Sequence, residues 1–186
     1  MATAGQLSSF KSALAHGGAR PSLFDITVTA PTFSPATSFT NMATHCNVSS
    51  IPPLTVTPIE KQYFGRTVKI PGDIVYGDLT TTVMNAEDYS VRNAIEKWMD
   101  KMNGHVSNKG FSNNTDWVTD LELIQYSKDG ESLMYYEFID CWPQTLAEIP
   151  LSYDTASDIE QFDVTWAYNY YETVAESTNV VKGDQN

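Results

Sequence analysis

Two runs rich in β-branched, aromatic and other hydrophobic residues, Trp117–Tyr126 and Glu131–Ile139, flank the dipeptide Asp129-Gly130. An Asp-Gly dipeptide between β-prone runs is typical of a β-hairpin, because glycine readily adopts the positive φ of a tight primed turn. A two-residue turn here predicts the pairs Lys128–Glu131, Tyr126–Leu133, Leu123–Tyr136, Glu122–Glu137 and Leu121–Phe138.

Neighbouring residues of a strand point to opposite sides, so this hairpin has two different faces. One face carries hydrophobic residues and is predicted to lie in the core: Leu121, Leu123, Met134, Tyr136 and Phe138. The other carries Asp120, Glu122, Ile124, Tyr126, Leu133, Tyr135 and Glu137. Opposed like charges destabilise a strand pair by up to about 1 kcal/mol. A chain that keeps Glu122 opposite Glu137 therefore either solvates the pair well or uses the negative surface.

The clearest predicted helix follows Asn85, a candidate N-cap residue with Asp88 three positions later. Its hydrophobic stripe comprises Val91, Ile95, Trp98, Met99 and Met102, and Asn103-Gly104 is expected to end it. A short helix is predicted at Gln6–Ala15, with Leu7, Phe10 and Leu14 on one side. Further strands are predicted at Ser22–Thr29, with Phe24, Ile26 and Val28 inward, around Ser38–Val48, at Tyr63–Ile70, at Leu79–Met84, and at Phe162–Tyr170, with Phe162, Val164, Trp166, Tyr168 and Tyr170 on one face. The connections between them are a loop at Ile51–Pro53, a turn at Pro71–Asp73, a loop at Val106–Thr115 and a connector from Cys141 to about Ile159.

The predicted elements define the fold class as α+β and mainly β. About six or seven antiparallel strands and one main helix indicate a small β-sandwich or barrel-like sheet. Helices do not alternate with the strands, so a parallel doubly wound sheet is not expected. We expect one domain over residues 1–186, with a core at about 10–172 and a polar extension at 173–186.

The chain is strongly acidic, with 11 Lys and Arg against 23 Asp and Glu. Nucleic-acid binding requires cations that neutralise phosphates, so a nucleic-acid-binding face is not expected. The segment Met1–Arg20 does not resemble a signal peptide, and no hydrophobic run approaches the ~18 residues of a membrane helix. These features favour a soluble protein without a membrane anchor, made in a reducing compartment, in which Cys46 and Cys141 are free thiols.

Candidate chemistry is sparse. His45 and Cys46 are neighbours on a predicted strand and would point to opposite faces, which disfavours a nucleophile–base pair. Asp120, Glu122 and Glu137 are the candidate acids for a glycosidase pair or a divalent-metal site. No His or Asn nearby completes a metal set in the sequence. We therefore expect no catalytic residue, no metal and no cofactor, and interpret the three acids as a solvated negative face.

Four segments together resemble the tail tube protein of contractile-tailed, myovirus-type bacteriophages. They are RPSLFDITV, YFGRTVKIPGDIVYGDLTTTVMNAEDYSVRNAIEKWMD, IDCWPQTLAEIPLSYD and IEQFDVTWAYNYYE, which follow one another between about Phe10 and Glu172. Each segment alone is weakly specific, whereas their order and spacing together are distinctive.

The resemblance implies a structural protein without catalysis. Its subunits would form hexameric rings that stack into a hollow tube, with strands joined in a barrel around the channel and the helix outside. The implied partners are further copies of the chain, the tail sheath protein, and the baseplate and tail terminator proteins. DNA would pass through the lumen without specific binding. The implied location is the virion tail, after assembly in the host bacterial cytoplasm.

A negative lining would repel the phosphates of passing DNA, so Asp120, Glu122 and Glu137 are our hypothesised lumen-lining residues. The alternative is that this face points outward, toward the sheath. Two segments depart from the family pattern. Pro31–Pro58 is long and Pro-rich where the family has a flexible loop that reaches toward the adjacent ring, and the tail beyond Glu172 has no counterpart.

Three other functions remain open from the sequence. The first is the inner tube of a phage-derived contractile injection system or a type VI-like secretion particle, which neighbouring genes would distinguish. The second is a monomeric β-sandwich that binds carbohydrate or metal, which predicts a stable monomer. The third is an enzyme that uses the carboxylates, which predicts loss of activity in Glu122→Gln.

Overall fold

The computed structural model describes residues 4–13, 18–31, 33, 36–110, 116–155 and 158–174. These residues form three helices, nine strands and a 3₁₀ turn at Tyr153–Thr155. The helices are α1 (Ala4–Ala13), α2 (Ala36–His45) and α3 (Ser90–Met102), and the strands are β1 (Phe24–Val28), β2 (Cys46–Ser49), β3 (Leu54–Tyr63), β4 (Arg66–Tyr76), β5 (Leu79–Met84), β6 (Thr119–Tyr126), β7 (Ser132–Leu146), β8 (Gln161–Ala167) and β9 (Tyr170–Val174). Leu14 of the predicted first helix, residues 111–115 of the predicted loop and residues 175–186 of the predicted tail lie outside the described residues.

Seven strands form an antiparallel sheet in the order β1-β6-β7-β8-β5-β2, with β9 also paired to β7. The first half of β7 pairs with β6 and β9, and its second half pairs with β8. Asp140, at the junction, has a φ of 54°. The predicted connector after Cys141 is therefore wrong at its start, since β7 continues to Leu146. The predicted fold class, mainly antiparallel β with helical cover, is confirmed.

The core lies between this bent sheet and the helices α2 and α3. The ring centroid of Trp98 on α3 lies 5.7 Å from that of Phe39 on α2 and 5.9 Å from that of Trp166 on β8. Its indole Nε1 donates a 2.8 Å hydrogen bond to the Trp117 carbonyl. The predicted stripe of α3 is thus confirmed: Val91, Ile95 and Trp98 are buried, and Met99 and Met102 pack against them.

Helix α2 corrects the predicted strand around Ser38–Val48. Phe39 and Met42 are one helical turn apart and both are fully buried against α3 and β1. Burial of this pair outweighs the weak β preference of the threonines in the segment. Of the predicted strand, only residues 46–48 are extended, as part of β2.

The start of α3 also differs from the prediction. Ser90 is its first residue, after Tyr89 in a left-handed conformation. The Asp88 Oδ1 accepts a hydrogen bond from the Ser90 N–H, and the Asn85 Nδ2 donates to Glu160 at 3.0 Å. Asn85 therefore ties two chain segments together and does not cap the helix.

The predicted hairpin corresponds to β6 and β7, with a longer turn than expected. The Ser127 N–H donates to the Glu131 carbonyl, and the Gly130 N–H donates to the Ser127 carbonyl. Gly130 has a φ of 84°, so the turn is a three-residue loop that ends in a left-handed glycine. The inner pairs Leu121–Phe138, Glu122–Glu137 and Leu123–Tyr136 are confirmed, whereas Tyr126 pairs with Ser132 and not with Leu133.

The predicted last strand is two strands. Tyr168 and Asn169 separate β8 from β9. Strand β9 pairs with the first half of β7, whereas β8 pairs with its second half. Phe162, Val164 and Trp166 point into the core as predicted. Tyr170 is exposed, whereas the Tyr171 ring packs 5.6 Å from that of Phe138, so the inward assignment of Tyr170 is wrong.

Strands β3 and β4 form a separate two-stranded sheet, called here the ribbon. Its turn is Phe64-Gly65, where both residues have positive φ, as in a type I′ turn. The strand that was predicted to begin at Tyr63 therefore begins after this turn, at Arg66. It also continues through Pro71 and Gly72, where a turn was predicted.

Candidate assembly and lumen surfaces

The acidic face of the hairpin is wider than the sequence suggested. Glu122 on β6 is paired with Glu137 on β7, and Glu137 is paired with Glu172 on β9. Three carboxylates therefore occupy one row across three neighbouring strands, with Thr27 of β1 as the next residue in the row. We call Asp120, Glu122, Glu137 and Glu172 the acidic face.

Tyr135 shows that the three predicted acids belong to one surface. Burial raises the pKa of its phenol well above the ordinary value, and a hydrogen bond to Glu122 raises it further. The charges of Glu122, Glu137 and Asp120 act in the same direction. The charges of all three predicted residues therefore act on one phenol, and Glu122 is its hydrogen-bond partner.

Asp120 lies at the edge of this face, where β7 bends. It is exposed, and its Oδ1 lies 3.4 Å from the backbone nitrogen of Asp140, which donates to it. Asn169 Nδ2 donates a 2.7 Å hydrogen bond to Asp140 Oδ2. The bend therefore adds one further carboxylate beside the acidic face.

The acids were also candidates for chemistry. Among the described residues, no group of three His, Cys, Asp or Glu side chains has a geometry that could hold a metal ion. Burial raises the pKa of Cys46 to about 11, and burial raises that of Cys141 even more. Thiols with raised pKa values are protonated at neutral pH and are poor nucleophiles. The four carboxylates of the acidic face therefore form a negative surface.

The ribbon exposes hydrophobic residues on both sides of a two-stranded sheet. Nearest the turn, one side carries hydrophobic and cationic residues and is called here the distal apolar side: Ile59, Lys61, Tyr63, Arg66, Val68 and Ile70. The opposite side at the same level carries Gln62, Thr67 and the ion pair Glu60–Lys69, whose atoms are 3.1 Å apart. The turn residue Phe64 is 91% exposed.

The hydrophobic residues change sides halfway along the ribbon. The register shifts between Val56 and Pro58, opposite Gly72 and Asp73. Between this bulge and the main sheet, the hydrophobic residues lie on the side opposite to the distal apolar side: Leu54, Val56, Ile74 and Tyr76. A β-bulge redirects side chains in this way.

The base of the ribbon is held firmly by the main sheet. Tyr168 donates a 2.6 Å hydrogen bond to the Gly77 carbonyl, and the Gly77 N–H donates to the Pro53 carbonyl. The Tyr76 ring lies 5.5 Å from that of Tyr171 and 6.1 Å from that of Tyr168. The ribbon is therefore an extension fixed at its base.

Sequence reasoning missed Glu172 and the ribbon as a unit. The residues Tyr, Thr and Val in Tyr170–Val174 favour a strand, but the sequence-based prediction merged them with the preceding aromatic run. The turn at Phe64-Gly65 contains only one residue typical of turns.

No helix in the described part of the chain is long and hydrophobic enough to cross a membrane.

Comparison with known proteins identifies relatives over most of the chain. A family model described as phage tail tube protein matches residues 19–174. The tail tube protein gp19 of Enterobacteria phage T4 is 25% identical over 155 residues, which cover 83% of this chain and 91% of that protein. The tail tube protein of Serratia phage KSP90 is 24% identical and is covered over 97% of its length, with 91% of this chain.

Solved structures share the fold at low sequence identity. A chain of the sheath–tube complex of PVC, an extracellular contractile injection system, has a TM-score of 0.58 and 15% identity, with 94% of this chain and 99% of that chain covered. A chain from the baseplate of the anti-feeding prophage has a TM-score of 0.61 and 9% identity, over 87% and 98% of the two chains. The family match covers most of the sequence, and the chain belongs to the phage tail tube protein family.

Proposed function

We propose that this tail tube subunit assembles into six-membered rings, which stack into the inner tube of a contractile phage tail. The observation that carries this proposal is the ribbon. A two-stranded sheet is marginally stable in water by itself, and this one exposes large hydrophobic residues on both sides. Contacts with neighbouring copies would cover these residues and complete the end strands of the main sheet.

The acidic face is proposed to line the lumen. Asp120, Glu122 and Glu137 lie on the side of the hairpin opposite the core, and Glu172 extends the row. A tube wall of this kind has one face on its own core and one face on water. Negative charge on the wet face would repel DNA phosphates, so that the genome passes without binding.

The proposed partners are further copies of this chain, a surrounding sheath, a baseplate and a terminator. Structures of the same fold come from a sheath–tube complex, a sheath–tube terminator and a baseplate. The role is structural and not enzymatic, in keeping with the family. The proposed site of assembly is the host bacterial cytoplasm, and the final location is the virion tail.

A second candidate function is the inner tube of an injection particle that carries protein. It is favoured by fold neighbours from an extracellular contractile injection system and from the anti-feeding prophage. The acidic face and the phage relatives favour DNA as cargo. Neighbouring genes for capsid and terminase, or for an ATPase and a toxin, distinguish the two.

Negative-stain electron microscopy of the purified protein at rising concentration tests the assembly. Hollow rings with six-fold end views, or tubes built from them, are expected. A stable monomer at every concentration, also in the presence of baseplate, would contradict the proposal.

The orientation of the acidic face has its own test. The double variant Glu122→Lys/Glu137→Lys is expected to form tubes and to slow DNA ejection. Glu87→Lys/Glu131→Lys makes the same charge change away from the acidic face and should eject DNA normally. If the first variant ejects DNA normally and loses sheath attachment, the acidic face points outward.

A further inference from the structure

The two ends of the β5–β8 strand pair carry different surfaces. Leu79 pairs with Trp166 at the end where the ribbon leaves the sheet, through Gly77. Met84 pairs with Gln161 at the opposite end, where the chain arrives from the segment 148–160. The ribbon and this segment therefore lie at opposite ends of the same two strands.

Most described residues of the segment 148–160 are exposed, and they include hydrophobic and acidic side chains. Leu151 is 80% exposed, Ile159 is 65% exposed and Tyr153 is fully exposed. Glu148, Asp154 and Asp158 are exposed beside them, and the segment contains no Lys or Arg. We call Glu148, Leu151, Tyr153, Asp154, Asp158 and Ile159 the acidic loop surface.

The base of this segment is fixed to the rest of the molecule. Glu160 Oε2 accepts hydrogen bonds from Asn85 Nδ2 and from the Tyr89 hydroxyl, both at 3.0 Å. The adjoining residues Ile149, Pro150 and Ile159 line a shallow depression. A partner that docks here therefore meets hydrophobic side chains beside an anchored strand end.

The distal apolar side of the ribbon has the matching character. It combines Ile59, Tyr63, Val68 and Ile70 with the cations Lys61 and Arg66, on a chain whose formal net charge is −12. Cations placed among exposed hydrophobic residues favour a partner that offers hydrophobic contact and carboxylates. The acidic loop surface of another copy offers both.

We infer that the distal apolar side of one copy docks on the acidic loop surface of the next copy, head to tail. This inference rests on the proposed stacking and adds the surface that receives the ribbon. Two different surfaces at opposite ends of the subunit make a heterologous contact, which repeats along an axis and generates a filament. Such a contact suits a tube of stacked rings.

The dimensions allow this contact. A strand rises about 3.3 Å per residue, so the ten residues of β3 extend over about 33 Å. The six residues of β5, at whose two ends these surfaces lie, span about 20 Å. The ribbon is thus long enough to pass the boundary of its own subunit and lie along a neighbour.

Charge substitutions on the two sides of the ribbon test the inference. Lys61→Gln/Arg66→Gln removes two positive charges from the distal apolar side and is expected to yield single rings in place of tubes. Gln62→Glu/Thr67→Glu lowers the net charge equally on the opposite side and should stack like the unmodified protein. Electron microscopy and sedimentation measure stacking, and circular dichroism checks the fold of each variant.

A charge exchange gives the second arm. Lys61→Glu/Arg66→Glu and Asp154→Lys/Asp158→Lys are each expected to abolish stacking, and their combination in one chain is expected to restore it. Tubes of the unmodified chain should also dissociate at high salt, because exposed ion pairs are screened.

The outcomes separate this inference from the proposed function. If the unmodified chain forms tubes that Lys61→Gln/Arg66→Gln leaves intact, or if the charge exchange fails to restore stacking, the inferred contact is wrong while ring assembly stands. If the unmodified chain forms neither rings nor tubes, both are wrong.

Discussion

Glu122 and Glu137 are paired directly across β6 and β7, and their shared row continues to Glu172. Glu122 has a local partner in the Tyr135 hydroxyl, whereas Glu137 lies between two carboxylates. Opposed like charges in a sheet are unfavourable by tenths of a kcal/mol up to about 1 kcal/mol. A single subunit therefore keeps this row at a cost in stability, which is consistent with use of the negative surface.

The first prediction concerns this cost. Glu137→Gln removes the middle charge, so we expect it to raise the free energy of unfolding by about 0.5 kcal/mol at low salt. The gain should shrink at 1 M salt because the repulsion is screened. Urea unfolding of the monomer measures both effects. Glu131→Gln, an exposed carboxylate in the turn of the same hairpin, is the matched control, and an equal gain there would contradict the prediction.

The second prediction concerns the anchor of the ribbon. Tyr168→Phe removes the 2.6 Å hydrogen bond to the Gly77 carbonyl and should lower the free energy of unfolding by about 1 kcal/mol. Hydrogen exchange at the Gly77 N–H, which donates to Pro53, should become faster as the base loosens. Tyr170→Phe alters an exposed tyrosine nearby and should change neither quantity. Unchanged exchange in Tyr168→Phe would show that the aromatic contacts of Tyr76 are sufficient.

The parts of the fold that the sequence predicts correctly are those with a strong local signal. The stripe of α3 follows from regular spacing of hydrophobic residues, the strand β5 from a run of β-branched residues, and the inner pairs of β6 and β7 from the position of Asp129-Gly130. Helix α2 does not, because Phe39 and Met42 become decisive only once α3 and β1 are packed against them.

The other errors arise where the backbone departs from ordinary residue preferences. Phe64 and Asp140 adopt positive φ, which few non-glycine residues do. The residue types therefore predict neither the turn at Phe64-Gly65 nor the bend of β7 at Asp140. The acidic face was predicted in part: Asp120, Glu122 and Glu137 lie in one hairpin, whereas Glu172 joins them only through the pairing of β9 with β7. That pairing is distant in sequence and leaves no local signal.

The third prediction separates the ribbon from the core. A Cβ added at Gly72 would lie 2.6 Å from the Thr57 carbonyl oxygen and 2.9 Å from Ile59 Cγ1, so Gly72→Ala must displace the bulge. Tube assembly should be lost while the thermal midpoint of the monomer changes little, because the ribbon lies outside the core.

The control is Gly130→Ala, whose added Cβ meets no atom within 4 Å but strains a residue with a φ of 84°. It should lower stability by about 1 kcal/mol and leave assembly intact. Normal assembly in Gly72→Ala together with lost assembly in Gly130→Ala would contradict this prediction.

The last prediction uses the thiol of Cys46. Burial, and to a lesser degree the charge of Asp25, raise its pKa from 9.0 to about 11. Below pH 9 the thiol is protonated in both folded and unfolded chains, so its contribution to stability is fully present. Between pH 9 and pH 11 the unfolded chain loses the proton first, and stability falls by roughly 2–3 kcal/mol over that interval.

Comparison with Cys46→Ala isolates this effect, since every other ionisable group is present in both proteins. The unmodified chain should lose more stability between pH 8 and pH 10.5 than the variant does, as measured by urea unfolding under reducing conditions. Equal losses in the two proteins would mean that the Cys46 thiol is as accessible to water in the folded chain as in the unfolded one. The half-buried position beside β5, where Cys46 pairs with Val83, argues for the larger loss.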